Sequence, residues 1–240
     1  MASGERVKVL LISGFWRSGS TILTRALGEL EGAFAAGGLE TIWDYSYLHN
    51  GHCGCGQSFR DCPVWQQVTE HAFGSVDGLD AAAMERWQPR MRHLPTMILP
   101  QGERIARRQF ASYIDGLDRL YRAIGEVSGA RVIIDSSKPS PYAYVLGLVP
   151  SVDLYNVHLV RDPHGVQYSI LRRKHKGDPR FQRHSVTRST LMWDVLNVSQ
   201  ELVGVRNPDR YLRLRYEDFV QNPMIVVRRI TDFIGEPDLD

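Results

Sequence analysis

The stretch that most constrains this chain runs from Val7 to Thr21, VKVLLISGFWRSGST. Val7 to Ile12 is an apolar run with no turn residue, which predicts a parallel strand buried on both faces rather than an alternating, half-exposed one. Gly14 and Gly19 then bracket a tight loop, and Thr21-Ile22-Leu23-Thr24-Arg25-Ala26-Leu27 starts a helix. Strand, glycine-bracketed loop and helix make a cradle for phosphate: glycines let the backbone approach, successive N–H groups point inward, and the helix dipole favours an anion. Measured against the pattern G-x-x-x-x-G-K-[ST], every element fits except the lysine, whose place Ser20 takes. The nearest cation is Arg17, inside the loop. A standard lysine at that place touches the β- and γ-phosphates of a nucleoside triphosphate. Its loss argues against ordinary ATP or GTP hydrolysis, and the moved cation suggests an anion bound in a different place.

The rest of the chain keeps alternating. Helix one should end near Glu31-Gly32, and Ala33 to Ala36 is a second strand stopped by Gly37-Gly38. Residues 44–63 look loop-like, 64–92 helical in two pieces broken near Gly74 to Gly78, and 93–102 a loop with two prolines. Ile105, Phe110, Ile114, Leu117, Tyr121 and Ile124 recur at helical spacing and predict one long amphipathic helix over 104–127. Strands follow at 131–135, 153–160 and 211–215, with helices at about 163–173, 187–204 and 222–235. This alternation predicts an α/β, P-loop-type three-layer sandwich, its central parallel sheet of about five strands flanked by helices and its ligands at the strands' C-terminal edge. A length of 240 residues suits a single domain over 1–240, with a Cys- and aromatic-rich insertion at about 44–63. A net charge of +2 gives no global pull toward nucleic acid. No apolar run reaches membrane-span length, the N-terminus carries no signal pattern, and an odd count of three cysteines fits a reducing compartment. The expected location is cytoplasmic.

A second anion site is written at Val160-Arg161-Asp162-Pro163, where a strand gives way to a helix. Asp162 suits the N-cap and Pro163 the first helical position, so Arg161 sits at the strand's C-terminal tip. Ser169 lies about two turns into that helix, and arginine with a hydroxyl can grip an anion there. Together, Gly14 to Leu23, Asp135 to Pro139 and Leu159 to Arg173, with Tyr216-Glu217-Asp218-Phe219 as a weaker fourth block, resemble the sulfotransferases that use 3′-phosphoadenosine 5′-phosphosulfate (PAPS), in particular carbohydrate and bacterial members. The resemblance implies that Arg17, Ser18, Gly19, Ser20 and Thr21 hold the 5′-phosphosulfate, Arg161 and Ser169 the 3′-phosphate, and that Tyr216 meets the adenine. Related carbohydrate enzymes place a lysine where Lys138 stands, which makes Lys138 and Arg17 the cations for charge developing on the departing phosphate. The implied reaction moves a sulfonyl group from PAPS to a hydroxyl of a sugar, glycolipid or phenolic metabolite, releases adenosine 3′,5′-bisphosphate (PAP), and requires no metal.

In-line attack by a hydroxyl benefits from a general base. Carbohydrate-type members often use a glutamate just after the second strand; here Gly38 takes that place and Glu40 follows two residues later. Glu40 is the first candidate, with Asp44, His49 and His52 as rivals. Cys53, Cys55 and Cys62 could hold zinc with His49 or His52, yet Cys-x-Cys-x6-Cys is not a standard zinc knuckle. The segment fits better as a shaper of the acceptor pocket, with aromatic walls from Trp43, Tyr45, Tyr47 and Phe59. Trp193 suits the core better than a stacking role. The basic run from Arg172 to Arg183 suits a solvated face, a cofactor funnel or a lid. Relatives continue through a glycine- and arginine-containing loop that Gly235 to Asp240 does not match, so the expectation is a truncated chain or an open cofactor site. Two other readings stay open: a P-loop kinase of a nucleotide or small molecule, for which Asp135 is the only Mg²⁺-binding contender, and a non-catalytic PAP- or nucleotide-binding protein. A homodimer also stays open.

Overall fold

Five runs rich in Val, Ile, Leu and Ala become the strands of one sheet in the computed structural model, which describes residues 6–175 and 185–239. They are β1 (Val7–Ser13), β2 (Ala33–Gly37), β3 (Val132–Asp135), β4 (Val152–Val160) and β5 (Tyr211–Arg215). Every neighbouring pair is parallel, in the order β2-β3-β1-β4-β5. The chain leaves β1 to build one side of the sheet and crosses back over β1 to build the other. That reversal opens a crevice at the C-terminal end of β1, where open parallel sheets take ligands.

Around the sheet lie α1 (Ser20–Gly28), α2 (Pro63–Phe73), α3 (Ala81–Trp87), α4 (Leu94–Met97), α5 (Gly102–Gln109), α6 (Ala111–Ser128) and α7 (Ser140–Leu146). The later helices are α8 (Pro163–His175), α9 (Val186–Val205), α10 (Tyr216–Gln221) and α11 (Pro223–Phe233). Successive β1 side chains alternate between two cores, which is why Val9 to Ile12 are all apolar. Val9 and Leu11 pack in one with Leu117, Leu120 and Ile124 of α6. Leu10 and Ile12 pack in the other with Leu23 and Leu27 of α1 and Val227 and Ile230 of α11. Each such side chain, fully buried, contributes about 1.5–3 kcal/mol. The result is the expected α/β sandwich. No helix among the described residues is long and apolar enough to cross a membrane.

Several local expectations change; within the loop expected over 93–102 lies the short helix α4. The single helix over 104–127 is two, α5 and α6, separated at Phe110, whose φ of −109° and ψ of 20° leave the helical region. The break keeps Phe110 buried, so the apolar spacing runs straight across it. The segment at 44–63 is not all loop: a π-helical segment spans Ile42–Leu48, and a 3₁₀ turn Phe59–Asp61. Three of its four aromatics are core, and of these Phe59 also lines a cavity beside Trp65. Trp43, Tyr47 and Phe59 are buried, with Trp43 and Tyr47 packed against Phe73 and Phe59 against Tyr47 and Trp65, because their rings are the core between this segment and α2. Tyr45 alone of the four is exposed. Residues 176–183 of the basic run lie outside the described residues.

Candidate active site

Each of the five strands delivers a proposed site residue at or just beyond its C-terminal end. Across the sheet they follow as Glu40 after β2, Lys138 after β3, the loop 14–19 after β1, Arg161 after β4 and Tyr216 after β5. The glycine loop therefore sits at the centre, with an acid and a lysine on one flank and an arginine and a tyrosine on the other.

The loop needs its glycines. Gly14 has φ +135°, and a Cβ there would lie 2.4 Å from the Leu159 carbonyl oxygen. Gly19, at φ +93°, caps α1 with no side-chain hydrogen bond, and a Cβ there would meet the Tyr216 ring at 2.2 Å. The first-turn N–H groups of α1 thus open toward the loop. Ser18 is buried, and its hydroxyl has no partner, an orphan that a bound oxyanion would satisfy. Arg17 adopts a left-handed φ of 69° and donates from Nε to Ser169 Oγ at 2.9 Å. Arg161 donates to the Arg17 carbonyl oxygen at 2.9 Å, and its guanidinium lies 4.5 Å from the Tyr216 ring centre. Trp193 Nε1 donates to the Arg161 carbonyl oxygen at 3.1 Å, so α9 fixes the strand tip from behind. Arg17, Arg161, Tyr168, Ser169, Arg172 and Arg173 line a cleft of about 370 Å³.

On the other flank, Asp135 is fully buried and organises two loops at once. Its Oδ1 accepts from Leu39 N (3.2 Å), Ser137 N (2.8 Å) and Ser137 Oγ (2.5 Å), and its Oδ2 from Tyr121 and Tyr142 hydroxyls (2.6 and 3.0 Å). Five donors saturate a carboxylate. The loops so clamped carry Glu40 and Lys138: Glu40 Oε2 accepts from Lys138 N at 3.1 Å, and Glu40 N donates to Ser137 Oγ at 2.9 Å. Burial pushes the Glu40 carboxyl up to about 7, with the negative charge of Asp135 adding to the rise and Ser137 and Lys138 opposing it. Burial also lowers Lys138 from the ordinary lysine range, against the pull of Glu40 and Asp135. Lys138 Nζ donates to the Ser136 carbonyl oxygen. A carboxyl raised toward neutrality can accept a proton near pH 7.

A family model described as the sulfotransferase family matches residues 10–240. The chain belongs to the sulfotransferase family. Among solved structures, this sulfotransferase is similar to the sulfotransferase domain from the curacin biosynthetic pathway, with TM-score 0.57, 19% identity, 97% of this chain and 75% of that one covered. It is also similar to the sulfotransferase domain from the Synechococcus PCC 7002 olefin synthase, with TM-score 0.53, 20% identity, and coverages of 98% and 75%. At such identities the likeness is one of fold. A comparison with curated proteins finds no match.

The rival bases of this sulfotransferase lie on exposed positions after β2. Asp44 and His49 are exposed and pair with one another at 3.2 Å, and His52 is exposed on the hairpin that follows. Several supporting residues carry no local sequence signal: Tyr121 and Tyr142 on Asp135, Gln88 donating to the Glu40 carbonyl oxygen at 2.7 Å, and Gln200 donating to that of Lys138 at 2.7 Å. Only the apolar-face spacing of Tyr121 singles it out, and that spacing marks it as core.

Proposed function

We propose that this sulfotransferase transfers a sulfonyl group from PAPS to an acceptor hydroxyl and releases PAP. The observation that carries the reading is the Glu40 carboxyl held on the Lys138 backbone N–H at one flank of a glycine cradle whose other flank presents Arg161 and Tyr216. The orphaned Ser18 hydroxyl and the two spaces closed to any Cβ fit an oxyanion held close to backbone. Ser18, Gly19, Ser20 and Thr21 would hold the 5′-phosphosulfate with Arg17, while Arg161 and Ser169 would hold the 3′-phosphate and Tyr216 would meet the adenine. When bound, PAPS supplies the sulfonyl group. Glu40 accepts the proton of the acceptor hydroxyl, whose oxygen then attacks in line, and Lys138 and Arg17 neutralise charge on the departing phosphate. The acceptor is a small molecule or glycoconjugate: a sugar, glycolipid or phenolic hydroxyl. The reaction needs no metal, and three free cysteines suit the reducing cytoplasm.

The kinase reading loses its Mg²⁺ ligand, since Asp135 is already saturated by five donors. The test is thermal stability with PAP, AMP and ATP, each with and without Mg²⁺, followed by transfer assays across hydroxyl acceptors. Stabilisation by PAP above AMP and ATP, independent of Mg²⁺, supports the proposal. A Mg²⁺-dependent shift by ATP alone refutes it, and PAP binding without turnover on any acceptor favours the non-catalytic reading.

A further inference from the structure

The cysteines of the insertion have no part in the chemistry above, yet they converge. Cys53, Cys55 and Cys62 place their sulfurs all within 4.8 Å of one another, with Cys55 and Cys62 at 3.7 Å. Among the described residues, no other set of three ligating side chains gathers this way. Tetrahedral zinc with Zn–S bonds of about 2.3 Å holds its sulfurs about 3.8 Å apart. We propose that these three thiols form a zinc site, with the fourth position taken by water or an exogenous ligand.

The backbone builds the site before any ion arrives. Gly56, at φ +91°, closes a turn in which Gly56 N donates to Cys53 O (3.0 Å) and Cys53 N to Gln57 O (2.8 Å). An antiparallel bridge between His52 and Ser58 closes the hairpin below it, which puts Cys53 and Cys55 on one tip. Cys62 is anchored separately: its N–H donates to Ser58 O at 3.1 Å, and it is the N-cap of α2, with Pro63 following. Cys62 is buried, Cys53 half-buried and Cys55 exposed, so two ligands are fixed in the protein and the third faces the route of entry. No histidine or carboxylate joins the three among the described residues, so those residues leave one coordination position unfilled. Each cysteine releases its S–H proton to solvent as its S–Zn bond forms, and no oxidant or reductant is consumed. The site ties the hairpin tip to the start of α2 and so braces Phe59 against Trp65.

The experiment uses the whole chain, reduced, loaded with Zn²⁺ and dialysed against metal-free reducing buffer. Elemental analysis should find one zinc per chain, and Co²⁺ in its place should give thiolate charge-transfer and tetrahedral d–d bands. Cys55→Ser alters only an exposed side chain, so its fold, checked by circular dichroism, should persist while Zn²⁺ affinity falls roughly a hundredfold or more. Cys53→Ser should behave alike. The proposal is overturned if wild type emerges without zinc, or if both variants retain it as tightly as wild type. It is also overturned if thiol titration of the unreduced protein counts one free thiol instead of three, which would make Cys55–Cys62 a disulfide.

Discussion

Replacing Glu40 by Gln separates the two consequences of burying a carboxyl beside Lys138. A rise from 4.5 to about 7 corresponds to about 3 kcal/mol between the protonation states. The folded carboxyl binds its proton more tightly than the unfolded one. Its contribution to stability is therefore full below pH 4.5 and is lost as pH climbs through 7. Glutamine keeps an oxygen for the Lys138 N–H and never ionises, so Glu40→Gln should stabilise the fold increasingly with pH. The gain is about 1 kcal/mol at pH 5 and about 3 kcal/mol at pH 8, the latter roughly 6–12 °C in Tm for a chain of this size. Because Glu40 is only partly buried, these are upper values. If Glu40 is the base, as proposed, the same change should lower turnover about 10²–10⁴-fold while PAP binding survives. In wild type, kcat/KM should rise with pH along a limb centred near 7. Calorimetry of both proteins at pH 5 and pH 8, with transfer assays beside it, decides the matter. An equal Tm difference at the two pH values would refute the perturbed carboxyl, and undiminished turnover would refute its role.

Arg161→Ala should abolish the preference for PAP over AMP in thermal shift; at a hundred times the dissociation constant, wild type gains about 2.7 kcal/mol from its ligand. Lys138→Met should depress turnover and also move the acid limb of kcat/KM above 7, because the charge that lowers Glu40 is gone; an unmoved limb would detach Lys138 from the base. Gly14→Ala should destabilise by roughly 2–5 kcal/mol in urea denaturation, from backbone strain at φ +135° plus the overlap with Leu159. His158, buried between Tyr211 (2.6 Å) and Asn197 (2.8 Å), is lowered to about 4 by burial. Its contribution to stability is present above 6.5 and lost as pH falls through 4, and an NMR titration of its ring should find a midpoint near 4 rather than 6.5.

What the sequence showed follows from the range of the forces involved. The β1 run, the glycine loop and the Asp162-Pro163 start of α8 are set by residues a few positions apart, and each forms where its local chemistry put it. The insertion misled because it is a π-helical turn: His49 N reaches back five residues to Asp44 O at 3.1 Å, and Ile42, Trp43 and Tyr47 are buried at a spacing that matches neither a strand nor an α-helix. With no period to read, the burial of Trp43, Tyr47 and Phe59 in the core could not be seen. The Glu40–Lys138 contact was beyond reach for another reason, since its partners lie 98 residues apart and meet only after β2 and β3 have paired.

Asp135 shows how one residue type serves two arguments. At the end of a buried strand beside a phosphate loop, an aspartate is what a Mg²⁺-dependent kinase would place, and nothing nearby in sequence decides otherwise. The decision comes from Tyr121 on α6, Tyr142 on α7 and the Leu39 N–H after β2, which arrive from three elements and fill the carboxylate. Saturated in this way, Asp135 does not face a metal; it sets the loops that present Glu40 and Lys138. The one acid the sequence offered as a Mg²⁺ ligand is, in the fold, the support of the two loops that carry Glu40 and Lys138.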